Sequence, residues 1–486
     1  MEPQASAIVL AILGALMGVS VLLSGTAGRL RIPLTLLYLG IGVVAGVGGL
    51  DAPAYGFAYR LGTASLVLIL FDGGLSTSMA AIRRAVRPAV VLATAGVVGT
   101  TAVVTLGAHL LGFAWTPALL LGAVVSPTDA AAVFSALRGS RIELSRRVAT
   151  TLELESGLND PLAVLLTVVA TEAVVGAGHP RWGAIALEVV VALAVGLVGG
   201  LAIGYLARRL LGRLRQSAHG LLPVFTAAVA FIAYGVPALV HGSGFLSVYV
   251  AAVVLGNGAL PAASRLRGVH DALAWFGQVI MFVVLGLLSA PERLLAVADV
   301  GLALAALLAF VARPVVVMAC LLPFRYPVRE AAYIGWVGLR GAVPIVLAIY
   351  PVLRGVTEGD RLFHLVFFVV LVNSLVPGAT VAWAARSLGL ARGAEPTPAA
   401  SVEVVSLREF PGEFVWHFVA PTSPAVGVAL QSLPIPAGSV AALVVRGAEV
   451  IAPRGGTVLR SGDQICLFAT EAERGALERV FGAAES

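Results

Sequence analysis

The chain has 486 residues, of which 59 % are apolar and only 12 % charged, with a formal net charge of +6. A soluble domain carries about 25 % charged residues. This composition therefore excludes a conventional soluble enzyme and a disordered chain, and with a mean hydropathy of +0.97 it implies a polytopic membrane protein. All 32 basic residues are arginines. They gather in short loops between apolar runs, where they set membrane orientation and give no sign of nucleic-acid binding. Cys320 and Cys466 are too far apart in the sequence to suggest a disulfide framework or a metal pair.

Thirteen apolar segments follow in chain order, at residues 5–27, 33–50, 58–77, 88–112, 116–137, 147–172, 183–212, 220–240, 243–260, 269–289, 296–322, 330–352 and 361–388. The one charged residue before the first is Glu2, so it lacks the basic leader of a cleaved signal and reads as a retained helix. Loops after odd-numbered segments hold 19 arginines and loops after even-numbered segments hold 5. That alternation puts the N-terminus outside and the C-terminus in the cytoplasm of a cell inner membrane.

Two segments are interrupted near their middle. The fifth contains Ser126-Pro127-Thr128-Asp129 and the twelfth Gly338-Leu339-Arg340-Gly341-Ala342-Val343-Pro344. Proline removes a backbone donor and frees carbonyls. The two segments are seven apart in order, as an inverted repeat of six helices around a linker helix would place them. Broken helices in matching positions mark a transporter's midplane site.

The sixth segment carries three acids, in Glu153-Leu154-Glu155-Ser156-Gly157-Leu158-Asn159-Asp160-Pro161. Ionisable groups at membrane depth are costly and mark function. At about 100° per residue, Glu153, Ser156 and Asp160 share one helix face, with Glu155 and Asn159 on a neighbouring one. Asp160 with Ser156, and Asn159 nearby, offers oxygen ligands to a desolvated cation. Glu155 needs a buried positive partner or a proton. Arg340 is the expected partner, because a guanidinium keeps its charge and must find a carboxylate or helix carbonyls. Arg313 precedes Pro314 and can snorkel toward the cytoplasmic end of its helix. Asp72, in Leu70-Phe71-Asp72-Gly73-Gly74, and Glu153 are candidates for lining a cytoplasmic funnel, with helix capping the alternative for Asp72. Glu188 reads as interfacial. His109, His179, His241 and His364 lack ligand-like spacing and read as loop or interface residues, so no metal site is expected.

After Arg392 the composition changes. The chain divides into a transmembrane domain at 1–392, a Pro-rich linker at 393–400 and a small cytoplasmic α+β domain at 401–486. Strand-like runs are Val402–Leu407, Phe414–Ala420, Val440–Arg446, Glu449–Ile451 and Gln464–Phe468. Ser423-Pro424 is expected to open a short helix and Glu471–Phe481 a second.

Taken together, Ser126-Pro127-Thr128-Asp129, Glu155 through Pro161 and Gly338 through Ala342 resemble the monovalent cation/proton antiporter family 1 over roughly residues 1–390. Leu70-Phe71-Asp72-Gly73-Gly74 is similar to its branch of potassium/proton antiporters called NhaP2 or CvrA. Residues 400–486, with Leu433-Pro434 through Gly438, Val444 through Gly456 and Ser461-Gly462-Asp463, resemble a TrkA-C (RCK_C) domain. The resemblance implies an all-α, NhaA-like fold of thirteen helices with two broken helices crossing antiparallel. It implies a homodimer in the lipid bilayer, whose mobile core moves like an elevator against a dimer domain. It carries Asp160 over as the cation and proton site, Asn159 beside it, and Thr128 and Ser156 as ligands. Asp129 carries over as the charge compensating the helix ends, and Glu155–Arg340 as a structural ion pair.

The expected function is exchange of K⁺, and of Na⁺ as the alternative within the same fold, for H⁺. No cofactor is expected beyond the transported ions. Proton and cation compete for one carboxylate, and only the neutralised site can cross, which makes exchange obligatory. Asn159 is neutral, so one carboxylate per site implies 1:1, electroneutral exchange. The cytoplasmic domain is expected to regulate through dimer contacts or a small ligand. A potassium channel with a gating tail would need repeated TVGYG-type filter loops, and an intramembrane enzyme a catalytic dyad or HExxH; the sequence has neither.

Overall fold

The computed structural model describes residues 7, 11–12, 14–23, 33–138, 142–176, 182–214, 221–258, 263–393, 413–447, 449–470 and 473–481. These fall into two compact units, Met1–Arg392 and Gly393–Ser486. In the first unit, among the described residues, each apolar segment is met by a helix or an interrupted helix. They are α1 (Gly14–Leu23), α2 (Leu34–Val47), α3 (Tyr55–Ser76), α4 (Met79–Val91), α5 (Val97–Leu110), α6 (Trp115–Val125), α7 (Ala130–Arg138) and α8 (Arg146–Val175). The series continues with α9 (Trp182–Leu214), α10 (Leu222–Leu239), α11 (Gly244–Gly256), α12 (Ala263–Leu287), α13 (Pro291–Ala296), α14 (Ala298–Leu307), α15 (Arg313–Leu321), α16 (Val328–Trp336), α17 (Ala342–Leu353) and α18 (Gly359–Ser387). Eight helical spans are long and apolar enough to cross a bilayer alone, and the α6–α7 pair, bent by 46°, makes a ninth. The helices α1, α2, α11 and α17 are apolar but shorter.

The interruptions are paired by position. The fourth and eleventh segments each contain one π turn, Leu92–Gly96 between α4 and α5 and Leu308–Ala312 between α14 and α15. The fifth and twelfth segments each break, between α6 and α7 and between α16 and α17. A π turn inserts one residue into the α ladder and occurs frequently at functional sites.

Helices approach closely where side chains are missing. On α9, Gly196, Gly200 and Gly204 form a ladder at helical spacing against α11. An added Cβ would lie 2.6 Å from Ser243 O, 2.6 Å from Ser247 O and 2.9 Å from Val254 Cβ respectively. Small residues every fourth position let helix backbones meet where lipid supplies no hydrophobic drive. The opposite face of α9 exposes Leu187, Val190, Val191, Val198 and Tyr205.

The second unit holds an antiparallel sheet of β1 (Glu413–Phe418), β2 (Val440–Arg446), β3 (Glu449–Ile451) and β4 (Gln464–Ala469), in the order β1-β4-β2-β3. The helix α19 (Arg474–Phe481) packs its Leu477, Val480 and Phe481 into the sheet's core. No helix opens at Ser423-Pro424. Ser423 Oγ donates to Phe481 O and accepts from Ala425 N, and Gly427 takes φ +79, so the segment turns instead of winding. The run Val402–Leu407 and the linker residues 394–400 lie outside the described residues.

Candidate ion-binding site at the crossing of two broken helices

Proline at 127 ends α6, and the chain re-enters a helix at Ala130. Asp129 is the N-cap of α7, its carboxylate accepting from Ala132 N at 3.2 Å. Its own amide donates to Leu339 O at 2.8 Å, which ties the first break to the second. A Cβ at Gly341, just before α17, would collide with the Asp129 carboxylate. Asp129 therefore lies at the positive ends of α7 and α17 together. Arg340 does the opposite. Its Nε donates to Val125 O, the last residue of α6, at 3.1 Å, and its Nη1 to Gly338 O in the exit from α16. A carboxylate among N-termini and a guanidinium among C-termini neutralise the four helix ends that crossing breaks leave in the membrane.

Arg340 is thus spent on helix ends. The ion pair read from the sequence as Glu155–Arg340 is made instead by Arg313, whose Nη2 lies 2.6 Å from Glu155 Oε1. Both side chains are almost fully buried, 3 % and 1 % exposed. Arg313 does not snorkel. It sits mid-span in Ala298–Phe324, and the eleven residues to the end of that span are about 16 Å of helix, beyond the reach of a side chain. Gly338 makes room for it: a Cβ there would stand 2.5 Å from Arg313 Nε. The signal in the sequence was an arginine deep in an apolar run whose one acid, Asp299, lies more than three helical turns away.

Glu153, Ser156 and Asp160, on one face of α8, all line a cavity of about 250 Å³. Thr128 and Asp129 line it from the first break, and Gly341 and Ala342 from the second. The far wall is mixed, with Leu70 and Ser76 of α3 and Gln278, Met281 and Phe282 of α12. Ser156 Oγ accepts from Ala130 N at 3.2 Å, and Asn159 Nδ2 donates to Thr128 Oγ1 at 2.8 Å, so both hold the first break in place. Asp160 is 7 % exposed, and its Oδ1 has no hydrogen-bond partner among the described residues. Pro161 follows it in the helix and cannot donate to Gly157 O, which adds a free carbonyl to the same face. Sequence reading missed Gly157, whose lack of a side chain also seats the Tyr249 ring, 2.7 Å from an added Cβ. The arrangement gives clustered oxygens, one unpartnered carboxylate oxygen, and space for several waters or one partly hydrated cation.

Glu153 is exposed and lines the cavity, while Asp72 does not line it. His364 is not in a loop. It is 1 % exposed inside α18, bonded to Asp360 O at 2.7 Å. His109 stacks on Trp115, His241 takes φ 59 after α10, Glu188 is exposed, and His179 lies outside the described residues.

Residues 17–387 match the transmembrane sodium/hydrogen exchanger family, and residues 414–482 match the TrkA-C domain. The chain is 39 % identical to the K⁺/H⁺ antiporter NhaP2 of Shewanella sp. (strain ANA-3), over 97 % of this chain and 83 % of that protein. It is 36 % identical to the K⁺/H⁺ antiporter NhaP of Alkalimonas amylolytica, over 98 % of this chain and 83 % of that one. Its fold is shared with the sodium proton antiporter MjNhaP1 of Methanocaldococcus jannaschii, with a TM-score of 0.66 and 21 % identity over 79 % of this chain and 99 % of that one. With its family match running from within α1 to the end of α18, this chain belongs to the sodium/hydrogen exchanger family of membrane transporters.

Proposed function

We propose that the protein exchanges K⁺ for H⁺ across the cell inner membrane, one for one and without net charge movement. The observation that carries this reading is Asp160, buried, with an oxygen unpartnered among the described residues, facing a cavity lined by Ser156 and Thr128. The charges gathered at the crossing, buried except for the half-buried Asp129, support the stoichiometry. Arg313 and Arg340 stand against Glu155, Asp129 and Asp160, leaving one negative charge over. One proton or one monovalent cation cancels it, and carrying both or neither leaves a costly charge at membrane depth. Thr128 and Ser156 serve as ligands, Asn159 positions Thr128, and Glu153 lies on the approach.

The choice of K⁺ rests on the names of the relatives, since oxygen ligands serve Na⁺ as well. In this reading the chain crosses the membrane thirteen times as an inverted repeat, with its N-terminus outside and its tail in the cytoplasm. It works as a homodimer whose core moves like an elevator. Residues 393–400 link the core to a regulatory domain at 401–486, so truncation after Arg392 should keep exchange but shift its pH or ion-concentration profile. An unchanged profile would make the tail a passive brace.

The deciding experiment is dye-quench exchange in proteoliposomes, comparing K⁺, Na⁺, Rb⁺ and Li⁺ across pH. K⁺-driven proton movement insensitive to membrane potential is expected. Response to Na⁺ alone would replace the K⁺ reading, and cation flux without proton counterflow would overturn exchange itself.

A further inference from the structure

The helices α3 and α17 form a wedge, open at one end and shut at the other. Toward the C-terminal end of α3, Leu70, Gly73 and Thr77 line the cavity opposite Ala342 and Pro344 at the start of α17. Toward its N-terminal end the two helices touch. A Cβ on Gly62 would stand 2.8 Å from Val346, one on Gly56 would meet Leu353 at 3.9 Å, and the Tyr59 and Tyr350 rings lie 6.3 Å apart.

Beyond that apolar seal, the first turn of α18 gathers three elements onto one residue. Asp360 Oδ1 accepts from the Tyr55 hydroxyl, in the first turn of α3, at 2.7 Å. Asp360 Oδ2 accepts from Arg293 Nη1, on α13, at 2.6 Å. Its backbone carbonyl bonds His364 Nδ1 at 2.7 Å, while Ala290 N, just before α13, donates to His364 Nε2 at 3.4 Å. Neither Tyr55, Arg293 nor Asp360 lines the cavity, so ion binding does not explain them. Two of Asp360's partners lie on segments far from α18 in sequence, and α18 is the helix that also bonds the second break, through Ser374 Oγ to Arg340 O at 2.9 Å.

We infer that Asp360 is an access latch: by holding the ends of α3 and α13 to α18, it keeps the wedge shut on the Tyr55 side of Asp160. The site opens to that side only when these bonds release. The inference rests on the exchange reading for its purpose, because a carrier must close one side while the other is open. A carboxylate of this kind is suited to the task. Its bonds are strong enough to bias the equilibrium, yet Asp360 is 39 % exposed, so water can replace its partners when it lets go.

The test reads opening directly and does not depend on transport. In the full chain carrying Cys320→Ser and Cys466→Ser, Val346→Cys places a thiol in the sealed contact. Its rate of maleimide labelling in detergent is compared with that after adding Tyr55→Phe, Asp360→Asn or both. Tyr55→Phe keeps the ring that packs edge-on against Phe363, so it removes the bond without removing the packing. Labelling should quicken roughly three- to ten-fold for either change, as expected from losing one hydrogen bond whose carboxylate is screened by partial exposure. The double variant should exceed Asp360→Asn alone by little. Equal rates would overturn the latch. So would a matching acceleration at native Cys320, with Val346 restored, because that would report general loosening. If labelling responds while proteoliposomes show no exchange, the latch stands and the exchange reading falls.

Discussion

The two halves of the membrane unit use the same joinery around different contents. In the first half, the serine of α8, Ser156, accepts from Ala130 N at the broken helix beside it. In the second, the serine of α18, Ser374, donates to Arg340 O at the other broken helix. Each serine has an asparagine close by and a proline further on: Asn159 and Pro161 in one, Asn373 and Pro377 in the other. Only the first half adds acids beside the serine. Asp160 follows Asn159, whereas Ser374 and Leu375 follow Asn373, whose amide turns back to Val369 O at 3.2 Å. The paired breaks supply a crossing whose helix ends are neutralised, and in the proposed function a single extra carboxylate on one side makes it the ion site. On that reading, symmetric ends with asymmetric charge give one binding position per chain.

The sharpest break of this comparison is Asp160→Asn, which makes the first half as neutral as the second. Exchange of every cation should be lost, while size-exclusion profile and unfolding temperature stay those of the parent. Appreciable residual exchange in the purified variant would remove Asp160 from the centre of the site.

The next largest effect concerns the buried pair. Arg313→Ala or Glu155→Ala leaves a bare charge at membrane depth and should cost about 3–5 kcal/mol of stability. Arg340→Ala, which strips donors from helix-end carbonyls, should cost about 1–3 kcal/mol. Thermal unfolding in detergent ranks them; a harmless Arg313→Ala would deny the pair. The serines separate the halves more finely. Ser156→Ala should raise the KM for the cation several-fold. Ser374→Ala should leave KM unchanged and lose about 1 kcal/mol. Equal KM effects would mean that both halves touch the ion.

The smallest effect uses an ion pair outside the membrane unit as a contrast. Asp463, 1 % exposed, accepts from Arg446 Nε at 2.9 Å, Arg446 Nη2 at 2.8 Å and Arg460 N at 2.8 Å. Burial pushes its carboxyl up, but these bonds and the two arginines outweigh burial and hold it below the usual carboxylate range. A lowered folded value means the stabilisation is complete above the unfolded value of about 3.9 and fades as pH falls through the folded one. Hydrogen exchange of the β4 amides should accelerate below about pH 4, and Asp463→Asn should flatten that slope. An unaltered slope would show that another group controls acid opening of the sheet.

Much of the membrane unit was legible because its signals are one-dimensional. Apolar runs, the arginines between them and two mid-run interruptions each follow from the chain's own order. The face of α8 shared by Glu153, Ser156 and Asp160 was legible for the same reason, since helical phase is a local property. The partner of Glu155 was not. Arg313 and Arg340 are both arginines in apolar runs, and the choice between them depends on which carbonyls the crossing leaves free, a matter of tertiary approach. The cluster on Asp360 was hidden likewise: Tyr55 and Asp360 are 305 residues apart, and nothing in the spacing of His364 distinguishes a buried histidine from a loop one. In the second unit, Ser423-Pro424 carried a helix-start pattern that Gly427 and the bond to Phe481 overrode.

The π turn at Leu308–Ala312 buffers the phase of the helix after it. One residue more than an α-helix needs is wound in just before Arg313, and the wider turn absorbs most of the ~100° that a residue adds to a regular helix. Deleting a single alanine from that turn would relax it to α geometry and leave Arg313 close to its present direction. A second one-residue deletion, with no wide turn left to absorb it, would turn Arg313 by about 100° away from Glu155. The buried pair thus tolerates one change of chain count and not two.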